Sequence, residues 1–355
     1  MEELQQTNIF LPAIKKMRLL LMIGSILYTY KVYSGSGDLS GVVFGFVFPA
    51  LYIISGYLVL REDQDVGGCI LRAIKRTAIC FGILAVSYFG LSLAFEPAFT
   101  LAMVSNKAFW AEFLVFNVWP LPIGSVIWFV QALLYAYIII YFINKLKLLR
   151  FDIIIAALCL VVTVLTGELS SVVGFHLLWH TYLGGNFLTR ALPYILIGSF
   201  LSRKEEYIAD RLDLVKHIIV LASGIILTAG EYYALTVTGS KVYTGHLIGM
   251  GVVAVAVSMC GIFWTDMEIR FIPLDVLSRY EICIPFFISS PIYYLLGRLA
   301  QTDIGFFQLL GRFPGVVVLI LSFALFSLYV FIRYTIMDIK YGDEDTPDNE
   351  NTDGT

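Results

Sequence analysis

Charged side chains are scarce in this chain. Aspartate, glutamate, lysine and arginine make up 14% of the 355 residues, whereas hydrophobic residues make up 59%. Soluble domains carry about 25% charged residues, so the composition excludes a soluble globular protein. The apolar residues fall in blocks of roughly 17–25 residues, the length a helix needs to cross a bilayer. Because the bilayer core offers no water to the backbone, the sequence predicts an all-α, polytopic transmembrane helical bundle.

Motifs of metal sites and of soluble enzymes are also missing. The chain has no HExxH, no Walker loop and no GxSxG. The five cysteines have no CxxC pair and no metal-ligand spacing, which favours buried apolar roles. They are Cys69, Cys80, Cys159, Cys260 and Cys283. The sequence therefore predicts no metal site, no bound cofactor and no nucleic-acid partner.

The apolar blocks predict about ten transmembrane helices. Their ranges are 17–34, 39–60, 77–95, 121–143, 151–167, 186–201, 216–236, 246–264, 276–297 and 307–335. Lysine and arginine are concentrated at the ends that are cytoplasmic if the N-terminus lies inside, so both termini are expected in the cytoplasm. We expect residues 1–340 to form the membrane domain and residues 341–355 to form an acidic disordered tail.

Polar residues within or beside these spans are candidates for a binding site, because they are costly in a membrane. The candidates are Ser55, Tyr57, Gln131, Asn186, Arg190 and, in an outer loop, His180. Arg190 lies one turn inside the sixth span, so it either snorkels to the surface or faces a polar cavity. Ser55 and Gly56 have close helix packing as their alternative role. His180 has the alternative of an ordinary loop residue.

Several stretches resemble the acyltransferase-3 family of integral membrane acyltransferases. Arg18 stands in the family's arginine position at the start of the first span. The other stretches are FPALYIISGYLV (48–59), the basic LRAIKR (71–76), IWFVQALLYAYII (127–139) and NFLTRALPYILIGSFLSRKE (186–205). The last two are also similar to the membrane portion of membrane-bound serine racemases.

The resemblance implies an enzyme of a bacterial inner membrane that modifies envelope polysaccharides. It would move an acetyl- or succinyl-type group from cytoplasmic acyl-CoA to a hydroxyl of a cell-envelope sugar or glycan. On this interpretation Arg18, Arg72 and Arg76 form the catalytic group on the donor side, where they clamp phosphates as multidentate donors. Trp128 belongs to the substrate site, with Asn186, Arg190 and His180 on the acceptor side. The basic residues have the alternative of being positive-inside anchors.

Two positions depart from the family pattern. The family places a histidine eleven residues after the arginine of its first span, and Thr29 stands there in this chain. A later His-Pro of the family corresponds to Ser290-Pro291, which the sequence favours as a helix kink. A general base near neutral pH is most easily a histidine.

Two further functions therefore stay open at this point. The chain is either a non-catalytic relative that binds or exports a small molecule or lipid-linked sugar, or a structural subunit of an envelope-glycan assembly complex.

Overall fold

The computed structural model describes residues 2–34, 39–60, 65–166, 186–239, 247–263 and 283–341. Helices account for most of these residues, and no strand occurs among them. The predicted all-α class is therefore confirmed. His180 and the part of the predicted tail from 342 onward lie outside the described residues.

The described residues contain sixteen α-helices. In chain order they are α1 (Glu2–Tyr30), α2 (Leu39–Phe44), α3 (Val47–Val59), α4 (Val66–Phe95), α5 (Pro97–Ser105), α6 (Lys107–Leu114), α7 (Ile127–Lys145), α8 (Asp152–Thr166), α9 (Phe187–Arg190), α10 (Leu192–Arg203), α11 (Glu205–Ala209), α12 (Leu214–Val237), α13 (Ile248–Phe263), α14 (Ile284–Ala300), α15 (Gly305–Arg312) and α16 (Pro314–Tyr341). A 3-10 turn, Leu149–Phe151, leads into α8.

Six segments of the described chain are long and apolar enough to cross a membrane. They are Ser40–Val59, Val66–Phe95, Ile127–Lys145, Leu149–Thr166, Leu214–Val237 and Pro314–Arg333. The chain is therefore a multi-pass membrane protein. Ten spans and cytoplasmic termini stay predictions.

Proline residues divide three of the predicted spans. The span 39–60 is broken between α2 and α3, because Pro49 has no N–H for the Gly45 carbonyl that an unbroken helix would pair with it. Pro193 and Pro314 likewise fall in the first turn of α10 and α16, where a missing N–H costs nothing. Hydropathy alone runs across these breaks, so the sequence predicted single helices.

The third span begins earlier than predicted. Helix α4 starts at Val66 rather than at residue 77. The basic motif therefore lies inside the helix, where Arg72, Lys75 and Arg76 are all exposed, and does not lead into it. Charged residues mark the end of the hydrocarbon layer, but a helix continues into the polar zone as long as its backbone can hydrogen-bond to itself.

Two glycines let the backbones of α3 and α10 touch. A methyl group on Gly56 would collide with the Ile195 carbonyl, and one on Gly198 would collide with the Ile53 carbonyl. Small residues at helix contacts are a main source of packing energy in membranes. Gly56 is therefore a packing residue, as the alternative interpretation of the Ser55-Gly56 pair stated.

Helix α14 continues through Pro291, and α4 supplies the hydrogen bond that this proline removes. Pro291 cannot donate to the carbonyl of Phe287, four residues earlier. The buried hydroxyl of Tyr88 donates to that carbonyl at 2.7 Å instead. Inside a bilayer such a replacement is needed, because no water is present to satisfy the carbonyl.

We expect Gly56→Ala to lower the melting temperature of the purified protein in detergent, since the added methyl group forces α3 and α10 apart. Overpacking of this kind costs about 1–3 kcal/mol. The control is Gly82→Ala in α4, where a methyl group meets no atom within 4 Å. Melting of Gly56→Ala at the temperature of this control would contradict close packing at Gly56.

Candidate active site

A small cavity lies where α1, α3, α7 and the α9–α10 segment meet. Its walls are formed by Tyr28, Gly45, Phe48, Pro49, Tyr52, Trp128, Arg190 and Tyr194. Its volume is about 10 Å³, roughly the space that one water molecule needs. A larger substrate therefore enters only when the surrounding helices move.

Aromatic rings form one wall of this cavity. The rings of Tyr28 and Phe48 meet edge to face at 5.4 Å, and the Phe48 ring meets that of Trp128 at 4.8 Å. Such geometry is favourable for aromatic pairs and restricts the rotation of each ring. Phe48 and Pro49 of the stretch 48–59 and Trp128 of the stretch 127–139 thus lie together at this cavity.

Arg190 contributes positive charge to the same cavity. Its guanidinium carbon lies 5.4 Å from the centre of the Trp128 ring, within the range of a cation–π interaction. Among the described residues that line the cavity, Arg190 alone is charged. Arg190 therefore lies at the cavity wall, and its role in substrate binding stays a prediction.

Tyr52 presents a buried hydroxyl at the cavity. Its side chain is fully buried, and its hydroxyl has no hydrogen-bond partner among the described residues. The hydroxyl lies within electrostatic range of Arg190. Buried polar atoms are rarely left unpaired, which marks this hydroxyl as a group that can bind a water molecule or a ligand.

Polar groups continue from the cavity toward Arg18. Tyr52 lies within electrostatic range of the hydroxyl of Tyr137, which in turn lies near Ser55 and within electrostatic range of Arg18. Ser55 also donates to the Leu51 carbonyl at 2.7 Å. Arg18 precedes Tyr28 by ten residues, which is roughly 15 Å along a helix. We call Arg18, Ser55, Tyr137, Tyr52 and Arg190 the polar column.

Gln131 and Asn186, predicted to bind substrate, contact the end of α6. Gln131 donates to the Phe113 carbonyl, and Asn186 donates to the Val115 carbonyl at 3.5 Å. Gln131 also donates to the hydroxyl of Tyr135 at 3.2 Å, and that hydroxyl donates to the Leu114 carbonyl. The last carbonyls of a helix lack partners in that helix, so these side chains cap it. A role for them in substrate binding stays a prediction.

Ser290 pairs with the segment before α7. Gly124 and Ser125 donate their backbone N–H groups to the Ser290 hydroxyl oxygen at 2.8 and 3.2 Å. Thr29 instead donates to the Ser25 carbonyl of its own helix. At both positions where the family has a histidine, this chain therefore has a hydroxyl group that is hydrogen-bonded within the protein.

The tyrosine beside Thr29 joins that arrangement. Tyr30 is in hydrogen-bond contact with Ser125 at 3.2 Å, and Ser289 donates to Tyr30 at 3.1 Å. Tyr30 belongs to α1 and Ser289 to α14, so the bonds connect helices that are far apart in sequence. The sequence interpretation named Ser290 but did not predict these contacts between helices.

The remaining predicted residues lie apart from the cavity. Arg72 and Arg76 are exposed on α4, where Arg72 contacts the sulfur of Cys69 at 2.9 Å. No described contact joins them to Arg18 or to the cavity. Tyr57 is buried in α3 and does not line the cavity. The roles of all these residues stay predictions.

The sequence interpretation missed the tyrosines that complete the cavity. Tyr28, Tyr52 and Tyr194 come from three different helices. Tyr194 lies within electrostatic range of both Arg190 and Glu231. A signal for Tyr194 was present, because it lies four residues after Arg190 and therefore on the same helical face.

We expect Tyr52→Phe to melt at the wild-type temperature or above, since its hydroxyl has no hydrogen-bond partner among the described residues. Tyr88→Phe is the matched variant and should melt lower, because it leaves the Phe287 carbonyl unpaired. That loss costs about 1–3 kcal/mol. Equal destabilisation of the two variants would show that the Tyr52 hydroxyl is held by the protein.

The family model for the acyltransferase domain of the acyltransferase-3 group matches residues 12–332. No curated protein and no solved structure matches the chain. The similarity to serine racemases is not among these matches.

Proposed function

Because the chain belongs to the acyltransferase-3 family, we propose that it is an acyltransferase of a bacterial inner membrane. It moves an acetyl- or succinyl-type group from cytoplasmic acyl-CoA to a hydroxyl of a cell-envelope sugar or glycan. The observation that carries this proposal is the cavity in which Arg190 lies over Trp128 beside the unpaired Tyr52 hydroxyl.

The donor is proposed to enter from the predicted cytoplasmic side. Arg72 and Arg76 are exposed there and can bind the phosphates of acyl-CoA, since guanidinium groups form paired hydrogen bonds with phosphate. Arg18 begins the polar column, which gives the polar, thioester-bearing arm of the donor a route through an apolar bundle. Movement of α3 relative to α7 would open the column toward Arg190.

The chemistry proposed for the cavity is direct acyl transfer. The acceptor hydroxyl oxygen attacks the thioester carbonyl carbon, a C–O bond forms, the C–S bond breaks, and the proton passes from the acceptor oxygen to the leaving sulfur. Negative charge develops on the carbonyl oxygen during the attack. Arg190 and the Tyr52 hydroxyl are placed to stabilise that charge, as donors of an oxyanion hole do.

A binding or export function is the second candidate. The observation behind it is Thr29, whose hydroxyl donates to a carbonyl within α1 at the position where the family has a histidine. A relative of this kind would keep the cavity and lose the reaction. The two functions differ in whether label moves from donor to acceptor.

Arg190→Ala is expected to reduce acyl transfer by a factor of about 10²–10³, the usual cost of removing an oxyanion donor. The assay follows radiolabel from acetyl-CoA and from succinyl-CoA into an envelope glycan fraction, using membranes that contain the full chain. Arg190→Lys should recover only part of the activity, because lysine keeps the charge but not the planar group over Trp128.

The control for this assay is Arg211→Ala, which removes an exposed arginine that stacks on Tyr207 away from the cavity. This variant should transfer label like the wild type. Full activity in Arg190→Ala would remove the cavity from the mechanism. A wild-type protein that binds the glycan but transfers no label would establish the second candidate function.

A further inference from the structure

A second and larger cavity lies between α2 and the pair α12–α13. Its volume is about 430 Å³, within the range of about 300–1,000 Å³ that is usual for ligand sites. Val42 and Phe46 line one side, and Ile225 and Met250 line the other. We call this space the apolar groove.

The lining of the apolar groove suits a hydrocarbon and not a polar ligand. Thr228 is the polar residue among the described lining residues, and its hydroxyl donates to the Gly224 carbonyl at 2.8 Å. Val43 and Ile225 are 50% and 55% exposed. Since α12 is long and apolar enough to span a membrane, the groove opens toward lipid.

Close contacts fix the shape of the groove wall. A methyl group on Gly224 would lie 2.9 Å from the backbone nitrogen of Val253, and one on Gly249 would collide with Thr228. The carboxylate of Glu231 accepts hydrogen bonds from the N–H groups of Ile248 and Gly249 at 3.1 and 2.9 Å, which ties α12 to the first turn of α13. The groove is therefore part of the packed structure.

Only thin walls separate the apolar groove from the Arg190 cavity. Gly45 lines the cavity, and the next residue, Phe46, lines the groove. Met250 lines the groove, and a methyl group on the next residue, Gly251, would lie 3.0 Å from the hydroxyl of Tyr194. Tyr194 is itself a cavity residue. A molecule whose apolar chain lies in the groove can therefore bring its polar head to the cavity when the surrounding helices move.

We propose that the apolar groove binds the hydrocarbon chain of a lipid-linked acceptor and presents its sugar to Arg190. The proposal rests on the acyl transfer proposed above and names the acceptor class. The chain enters sideways from the bilayer, and its burial supplies binding energy far from the reacting hydroxyl. Such remote binding energy is what positions a substrate for reaction.

The first test fills the groove. Ala229→Trp, in the groove wall, should raise the KM for a lipid-linked glycan about tenfold or more, since even a few methylene groups lose their burial. Transfer to the same glycan released from its lipid should be unchanged. Val43→Trp fills the groove from the opposite wall and should act alike. Ala324→Trp on the exposed face of α16 is the control and should alter neither activity.

The second test does not depend on activity. The probe is a long-chain alkyl glucoside with a diazirine in its chain, added to the full protein in nanodiscs of phosphatidylethanolamine and phosphatidylglycerol. Crosslinks should map to groove residues such as Met250, disappear in Ala229→Trp, and be suppressed by unlabelled alkyl glucoside but not by methyl glucoside.

The outcomes separate the two proposals. A wild-type protein that acylates nothing contradicts the proposed function. The crosslinks then test by themselves whether the apolar groove binds a hydrocarbon chain. Normal KM values in both groove variants, or equal suppression of crosslinks by added phosphatidylethanolamine, would overturn the groove as a site for the acceptor lipid.

Discussion

The contact between the backbones of α3 and α10 is the interaction on which the site depends. Gly56 and Gly198 remove the side chains that would hold these helices apart. Because α3 carries Tyr52 and the α9–α10 segment carries Arg190 and Tyr194, the same contact brings a buried hydroxyl and a positive charge to one cavity. A wider spacing would leave Arg190 free to turn toward the membrane surface. Helix packing and site geometry are thus set by the same pair of glycines.

The membrane explains the other polar contacts of the bundle. No water is present in the bilayer core to hydrogen-bond to a backbone carbonyl that lacks its helical donor. A side chain from another helix must therefore donate to that carbonyl. Tyr88 does so for the carbonyl that Pro291 leaves open, and Gln131 does so at the end of α6. Some polar residues within apolar spans therefore hydrogen-bond to backbone carbonyls, and others are available to bind a ligand. Tyr52 belongs to the second group among the described residues, since its buried hydroxyl has no partner there.

Much of the fold class and part of the cavity could be predicted from the sequence. Composition predicted the helical membrane class, and the motifs drew attention to Trp128 and Arg190, which the structure places together. Tyr52 could not be chosen, because the rotation of each helix about its axis depends on contacts far apart in sequence. The start of α4 was missed because charge was taken as a sign of a loop. The contact of Gln131 with the Phe113 carbonyl could not be predicted, because sequence shows that a polar residue is present but not which carbonyl it contacts.

No histidine is among the described residues that line the cavity, so the proposed reaction needs another source of catalytic power there. A thiol has a pKa near 8.5, far below that of a sugar hydroxyl, so the leaving sulfur departs readily and can take up the acceptor's proton late in the reaction. The main barrier is then charge on the carbonyl oxygen. A guanidinium in a dry cavity interacts with that charge far more strongly than in water. A cavity with room for about one water molecule holds little solvent beside Arg190. In the proposed reaction, exclusion of water and the charge of Arg190 would then do the work that a base does elsewhere.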